Sequence, residues 1–292
     1  MIVVTGATGR LGGAVVDRLL RRVPADSIGV SVRDPAKVAG LAEQGVRVRR
    51  GDLDDAASLV HAFDGAERVL LVSAAASGEA ALRQHRTAIE AARTAGVGRV
   101  VYTSHMGANP RSPFAPMPDH AATEAMLQES LQESGLAFTA LRNGFYTSSG
   151  LMLLGHALDT GDVAAPEDGP VSWTDHADLA DAAAIALTED GFDGPTPPLT
   201  GSEAVDLAGL AAIASEVSGR PIRRIVVTDA RYREHLVANG VPEPAVDMLV
   251  GLFAASRRGE FAAVDPTLAR LIGRPPRSVR DVLGARPVHQ LR

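Results

Sequence analysis

The sequence predicts an α/β fold, a doubly wound parallel sheet followed by a smaller C-terminal α/β lobe. Three observations predict it. Short β-branched runs alternate with longer amphipathic stretches through the first half of the chain. Those runs are apolar almost throughout, as strands are when both faces of a parallel sheet are covered. After Leu141 the alternation stops and Gly and Pro become frequent.

The elements follow in order. Strands are predicted at 2–5, 27–32, 46–50, 68–72, 99–103 and 137–141. Helices are predicted at 10–22, 35–44, 56–63, 79–95 and 120–134. In the first helix Leu11, Val15, Leu19 and Leu20 share a face, while Arg18, Arg21 and Arg22 project elsewhere. An Ala-rich helix at 175–187 is expected to pack back on the sheet. Segments 205–218, 222–227, 230–239, 245–256 and 267–272 form the smaller lobe. The expected division is a nucleotide-binding domain at 1–142 and a substrate-binding lobe at 143–292. Ligands of open parallel sheets sit beyond the carboxyl ends of the strands, so a lobe there would roof a cleft.

Composition narrows the chemistry. The net charge is −6, which argues against a nucleic-acid groove. Cysteine is absent, which excludes disulfides, thiolate catalysis, zinc–thiolate sites and iron–sulfur clusters. The chain opens on Ile2-Val3-Val4-Thr5 without a basic leader, and its apolar run at 151–154 is too short for a bilayer. No membrane association and a cytoplasmic location are expected. Lys37 is the only lysine.

Gly6-Ala7-Thr8-Gly9-Arg10-Leu11-Gly12 stands between the first strand and the first helix. Its G-x-x-G-x-x-G spacing suits a dinucleotide pyrophosphate. Gly6 permits the tight turn, Gly9 lets the backbone approach the phosphates, and Gly12 lets the helix pack closely. Gly6, Thr8, Gly9, Arg10, Leu11 and Gly12 are therefore the first cofactor-binding candidates, with the helix N-terminus facing the phosphates. Arg33 falls at the end of the second strand, where an arginine accommodates a 2′-phosphate, so NADP(H) is the expected cofactor. Asp34 is the complication, as a partner for Arg33 or a ribose ligand. Asp52 and Leu53 stand where this fold class lines the adenine, with Asp52 equally a cap for a helix at 54–63. Ser73 ends the fourth strand among small residues that leave room for cofactor.

The chain resembles the NmrA-like group of atypical short-chain dehydrogenase/reductases, and within it the type 2 NAD(P)H:quinone oxidoreductases. The resemblance runs over essentially the whole chain. It is carried by the glycine loop, Val32-Arg33-Asp34-Pro35-Ala36-Lys37, Gln84-His85-Arg86, Tyr102-Thr103-Ser104, Thr123-Glu124-Ala125-Met126-Leu127 and Leu141-Arg142-Asn143-Gly144-Phe145-Tyr146. It implies a Rossmann domain, NADPH as cofactor and hydride transfer to a small quinone-like molecule. It also implies that Asn143, Gly144 and Phe145 lie near the nicotinamide. Tyr146 and the surroundings of His105 would border the substrate.

One departure stands out. Short-chain reductases commonly use a Tyr-x-x-x-Lys pair to protonate a carbonyl oxygen. None of Tyr102, Tyr146 and Tyr232 has lysine four residues on, and Ala125 stands where close relatives often carry lysine. Ordinary ketone reduction is thereby put in doubt. A quinone is an easier acceptor, because hydride addition yields an aromatic hydroquinone anion.

Candidate proton donors or substrate ligands are Ser104, His105, His120 and Tyr146, with Ser104 and His105 expected just beyond a strand end. The plainer alternatives are a turn hydroxyl for Ser104 and a loop histidine for His105. For His120 the alternative is a helix-start residue beside a capping Asp119, and for Tyr146 a core aromatic. Trp173 reads as packing more readily than as a pocket wall. Asp175-His176-Ala177-Asp178 reads as a helix start capped by Thr174, and no metal site is expected. The arginines at 220–224 and 274–280 read as solvated surface. Two rival functions stand beside the quinone reductase: a non-catalytic NADP(H) sensor, and a tailoring reductase acting on another conjugated acceptor. Helices flanking such sheets commonly form homodimers, but no apolar stripe is surplus to the core.

Overall fold

The computed structural model describes residues 1–155 and 157–285. The first stretch runs β1 (Ile2–Thr5), α1 (Arg10–Leu19), β2 (Ile28–Val32), α2 (Ala39–Glu43), β3 (Arg47–Arg50), α3 (Ala56–Phe63), β4 (Arg68–Leu71), α4 (Glu79–Thr94), β5 (Arg99–His105), α5 (Pro116–Ser134) and β6 (Ala137–Asn143). Then come β7 (Phe145–Tyr146), α6 (Thr147–Leu154), α7 (Ala157–Thr160), β8 (Asp162–Pro166), β9 (Trp173–Thr174), α8 (His176–Thr188) and β10 (Gly194–Pro195). The remainder is α9 (Leu207–Ser218), β11 (Arg223–Val227), α10 (Asp229–Ala238), α11 (Glu243–Arg257), α12 (Thr267–Ile272) and α13 (Val279–Gly284).

The chain divides into two compact units. One comprises 1–110, 119–143 and 176–197, and the other 111–118, 144–175 and 198–292. The first unit holds a seven-stranded parallel sheet in the order β10-β6-β5-β4-β1-β2-β3. The order reverses between β1 and β4, and a crevice opens there beyond the strand ends. Alternate strand residues serve the two faces. Val3, Leu71, Tyr102 and Phe138 join Leu59, Phe63, Ile89 and Leu127 in one buried cluster. Each large side chain so buried contributes roughly 1.5–3 kcal/mol. The opposite face lies under α1 and α8. Five alanines in α8, together with Leu179, Ile185 and Leu187, are buried there, and small side chains let two helices and a sheet approach closely. Arg18 of α1 pairs with Asp181, and Arg22 bonds Thr188 and Glu189.

The second unit carries two small parallel pairs, β7 with β9 and β8 with β11. An aromatic cluster forms part of its core, where Phe145 packs against Phe114, Trp173 and Phe261 at ring-centre distances of 5.7, 5.4 and 5.2 Å. Among the described residues no helix is long and apolar enough to cross a membrane.

Several local expectations need correction. The helix expected at 120–134 begins at Pro116, so Asp119 and His120 lie within it and Asp119 is no cap. Pro116 and Pro118 suit a first turn, where their missing N–H groups have no helical partner anyway. The stretch 35–44 is a 3₁₀ turn at Pro35–Val38 followed by the short α2. Asp55, not Asp52, caps α3, and its carboxylate accepts from Ser58 N–H. α8 starts at His176, and the Thr174 hydroxyl accepts from Gly201 N–H and donates to Ser172 O instead of capping. Arg224 is no solvated residue: its side chain is largely buried against Asp168 and the carbonyls of Ala165 and Pro166. Residues 286–292 of the lobe expected at 143–292 lie outside the described residues.

The α1–α8 contact gives a direct test. Ala184 is fully buried and shares a helix face with Asp181 and Thr188. Ala184→Leu should overpack this seam and cost about 1–3 kcal/mol. A thermal melt should show the midpoint falling by several degrees, and an unchanged midpoint would mean the seam has spare room.

Candidate functional site

The site is built at the carboxyl end of β1. Gly6 has φ +63°, in the region that favours glycine, and turns the chain toward α1. A Cβ on Gly12 would stand 2.3 Å from Gly6 O, so this backbone approach exists only because residue 12 has no side chain. Gly9 is the N-cap of α1, without a side-chain cap bond, and the first turn contains no acidic residue. The open N–H groups and positive dipole end are thus left uncompensated by the chain, an arrangement that fits a pyrophosphate.

From this turn extends a cleft of about 570 Å³. Its lining includes Gly6, Thr8, Gly9, Arg33, Asp52, Leu53 and Ser73, so it gathers seven of the thirteen cofactor-binding candidates named from sequence. Arg10 is exposed at the mouth of α1, whereas Leu11 is buried under the turn. Arg33 is exposed and makes no ion pair or hydrogen bond among the described residues. Asp34 does not pair with it: its Oδ1 accepts from Ala36 N–H at 3.1 Å and caps the 3₁₀ turn. Asp52 accepts from Asp54 N–H, and its own N–H donates to Ser58 Oγ. On the cleft wall Ser31 Oγ is buried with no partner among the described residues.

Ser104 and His105 are the last two residues of β5, not residues beyond it, because β6 continues alongside and pairs Ser104 with Arg142 and His105 with Asn143. Ser104 Oγ donates to Glu124 Oε1 at 2.6 Å, and Arg142 grips the same carboxylate at 3.0 and 2.7 Å. The one hydroxyl proton of Ser104 is therefore engaged with a carboxylate, and toward a ligand Ser104 is an acceptor. His105 Nδ1 accepts from Gly107 N–H at 3.0 Å, so its proton is on Nε2. Asn143 Oδ1 is buried with no partner among the described residues, and its backbone carbonyl accepts from Met106 N–H.

Beneath these residues lies a row of rings. His85, Tyr102, His120 and His105 follow one another at 5.3, 5.8 and 5.9 Å. Tyr102 OH and His120 Nδ1 share a hydrogen bond of 2.8 Å. Burial pushes His85 and His120 down to about 4, and His105 well below its ordinary value, with the neighbouring His120 adding to the last. Burial raises Tyr102. The row is neutral near pH 7, so the Nε2–H of His105 belongs to an uncharged imidazole.

Gly144, Phe145 and Tyr146 belong to the second unit. Gly144 N–H donates to Leu199 O, and a Cβ there would meet Thr174 Oγ1 at 2.2 Å. Phe145 is a buried member of the aromatic cluster, and Tyr146 is half-buried beside it in β7. Trp173 is also buried, with Nε1–H donating to Val205 O. Asp175 accepts from Arg277, which gives it a partner other than a metal.

Sequence reasoning passed over Glu124, Arg142, His85 and Ser31. Glu124 and Arg142 sit inside motifs that carried the resemblance, yet nothing in their spacing says that they meet. Tyr102 was set aside for lacking a lysine, although its hydroxyl is built into the ring row.

The NAD(P)H-binding family model matches residues 6–190. Quinone oxidoreductase 2 of Escherichia coli is 37% identical over 282 residues, covering 96% of each chain. The NAD(P)H azoreductase of Xenophilus azovorans is 34% identical, again over 96% of each. Among solved structures, an NADPH-dependent quinone oxidoreductase of Escherichia coli in complex with NADPH has a TM-score of 0.90 at 36% identity, covering 97% of this chain and 98% of that one. The Citrobacter triphenylmethane reductase with NADP(H) has a TM-score of 0.87 at 33% identity, covering 97% and 99%.

The buried imidazoles imply a pH dependence. Unfolded histidines take up protons near pH 6.5, whereas folded His85 and His120 do so near 4. Their contribution to stability is complete above about pH 6.5 and is lost as pH falls toward 4. Each steepens the loss by at most about 1.4 kcal/mol per pH unit. Urea unfolding at pH 7 and pH 5 should show the lower stability at pH 5. Equal stability would mean that these rings are not held neutral.

Proposed function

The chain belongs to the NAD(P)H-binding family of NmrA-like short-chain reductases, and on that premise we propose that it reduces a quinone or similarly conjugated acceptor with NADPH. At the coarser level it is an NAD(P)H-dependent oxidoreductase with a small-molecule substrate. The observation that carries the preference for NADPH is Arg33. It lines the cleft with a guanidinium that has no partner among the described residues, while Asp34, its acidic neighbour, is engaged in capping. A planar guanidinium fork suits a phosphate dianion.

In this reading Gly6, Thr8, Gly9, Leu11 and Gly12 shape the pyrophosphate turn, and Arg10 and Arg33 face the 2′-phosphate. Asp52 and Leu53 flank the adenosine, and Ser73 and Asn143 border the nicotinamide. The first unit carries the cofactor, and in the second Gly144 and Phe145 brace the backbone that presents Tyr146. When bound, NADPH supplies the hydride. His105 offers Nε2–H to the acceptor oxygen as a neutral donor, and Ser104 orients ligand groups as an acceptor. No strong acid is needed, because the reduced quinone is a stabilised anion, and the Tyr-x-x-x-Lys pair is dispensable. Positioning alone supplies much of the acceleration, on the order of 7–11 kcal/mol at best. The relatives are named for quinone, azo and triphenylmethane chemistry, so the common feature is a conjugated acceptor.

NADPH oxidation by the purified protein should depend on an added quinone and should favour NADPH over NADH. Arg33→Ala should raise KM for NADPH tenfold or more and leave KM for NADH within twofold. Equal losses would remove Arg33 from the 2′-phosphate. Gly9→Val should abolish nucleotide binding, since its side chain would occupy the phosphate turn. Tight NADPH binding with no turnover on quinone, azo or triphenylmethane acceptors would overturn the reductase reading.

A further inference from the structure

The loop between β4 and α4 walls the cleft with Val72, Ser73, Ala74, Ala75 and Ala76. The backbone N–H groups of its first three residues are tied to side chains of other elements. Val72 N–H donates to Thr5 Oγ1 at 2.9 Å, Ser73 N–H to Thr103 Oγ1 at 2.8 Å and Ala74 N–H to His85 Nε2 at 2.9 Å. Gly78 N–H, at the far end, donates to Asp119 Oδ2 at 2.7 Å. β1, β5, α4 and α5 thus each hold one point of the wall.

The third of these ties has a direction that can be read from donor counting. Thr123 has one hydroxyl proton, which it donates to Asp119 O at 2.8 Å. Toward His85 Nδ1, 2.8 Å away, Thr123 Oγ1 can only accept. Nδ1 therefore bears the imidazole proton, and Nε2 is left with the lone pair that Ala74 N–H requires. Both ends of the ring independently demand the same tautomer. The ring is 1% exposed, so water does not replace either bond.

We propose that His85 is a positioning residue for the cofactor. Held as the neutral Nδ1–H tautomer by Thr123, it fixes the cleft wall at Ala74 and so sets the affinity for NADPH. The proposal rests on the functional reading above. His85 touches neither cofactor nor acceptor in this role, and it acts only through Ala74. Its loss should therefore appear in cofactor binding and not in the chemical step. The Thr123 hydroxyl is the second half of the device. Without it Nδ1–H has no acceptor, and the alternative tautomer would set Nε2–H against Ala74 N–H, donor against donor.

The test compares the wild type with His85→Phe, Thr123→Val, Thr123→Ser and the double variant H85F/T123V, each checked for a cooperative melt. NADPH affinity is read by titration, and KM for NADPH, KM for a quinone and kcat at saturating NADPH by steady-state kinetics. H85F and T123V should each weaken NADPH about tenfold, with KM for quinone and kcat within twofold of wild type. T123S should match the wild type, and the double variant should be no worse than either single one, since both break one relay. Thr123→Val is nearly isosteric, so it keeps the test open if H85F fails to fold. Long-range ¹H–¹⁵N NMR of the wild type should show the Nδ1–H tautomer at His85. An Nε2–H tautomer, or folded variants that bind NADPH within twofold of wild type, would overturn the proposal. No NADPH binding by the wild type would instead overturn the functional reading, and the NMR spectrum would still decide the tautomer.

Discussion

The close approach of α1 to the end of β1 is the constraint on which the cleft depends. It is a contact between backbones: Gly12 sits against Gly6 O at a distance that no side chain would permit. That contact sets the height at which α1 begins. It also sets where its uncompensated N–H groups open, and so where an anion can be held. The cleft extends from this turn along the ends of β2 and β3 on one side and the end of β4 on the other. A shift of α1 would move the phosphate turn away from Arg33, which belongs to a different βα unit.

The second requirement is a rigid wall made from small residues. The run Ser73-Ala74-Ala75-Ala76 offers little side chain with which to hold itself, and neighbouring elements hold the loop by the amides of Val72, Ser73, Ala74 and Gly78. The ties are polar; those at Val72, Ser73 and Ala74 are partly buried, and that at Gly78 is exposed. Burying them would be costly if any were unsatisfied. The tie through His85 is completed by further partners: Thr123 accepts from His85 Nδ1–H and donates to the backbone carbonyl of Asp119. The Ser104–Glu124–Arg142 set follows the same rule at the end of β5. There a carboxylate that would be expensive to bury alone is matched by a guanidinium. The first unit thereby keeps ionic chemistry at one strand end and a neutral ring row beside it.

In the second unit the run Gly144-Phe145-Tyr146 divides its work residue by residue. Gly144 has no side chain because Thr174 fills the space, and Phe145 turns into an aromatic core. Tyr146 alone remains half-buried. A motif that reads as one functional unit in the sequence is, in the folded chain, two packing residues that hold the third in place.

The sequence by itself determined the parallel α/β architecture, the glycine turn between β1 and α1, and the place of Arg33. All three follow from local rules: the spacing of apolar residues, the conformational freedom of glycine, and the position of a residue at a strand end. It also excluded thiolate chemistry and the Tyr-x-x-x-Lys pair, since both need residue types or spacings that the chain lacks. It did not determine what Ser104, Asp34 or His85 bond to. Asp34 could have met Arg33 but caps its own turn, and Asp52 yields the cap of α3 to Asp55. Ser104 finds its partner 20 residues away and His85 finds Thr123 at a separation of 38. Only the tertiary structure decided these, because a side-chain proton goes to whichever acceptor strand register and helix packing bring within 3 Å, and neither is encoded in the residues' own neighbourhood.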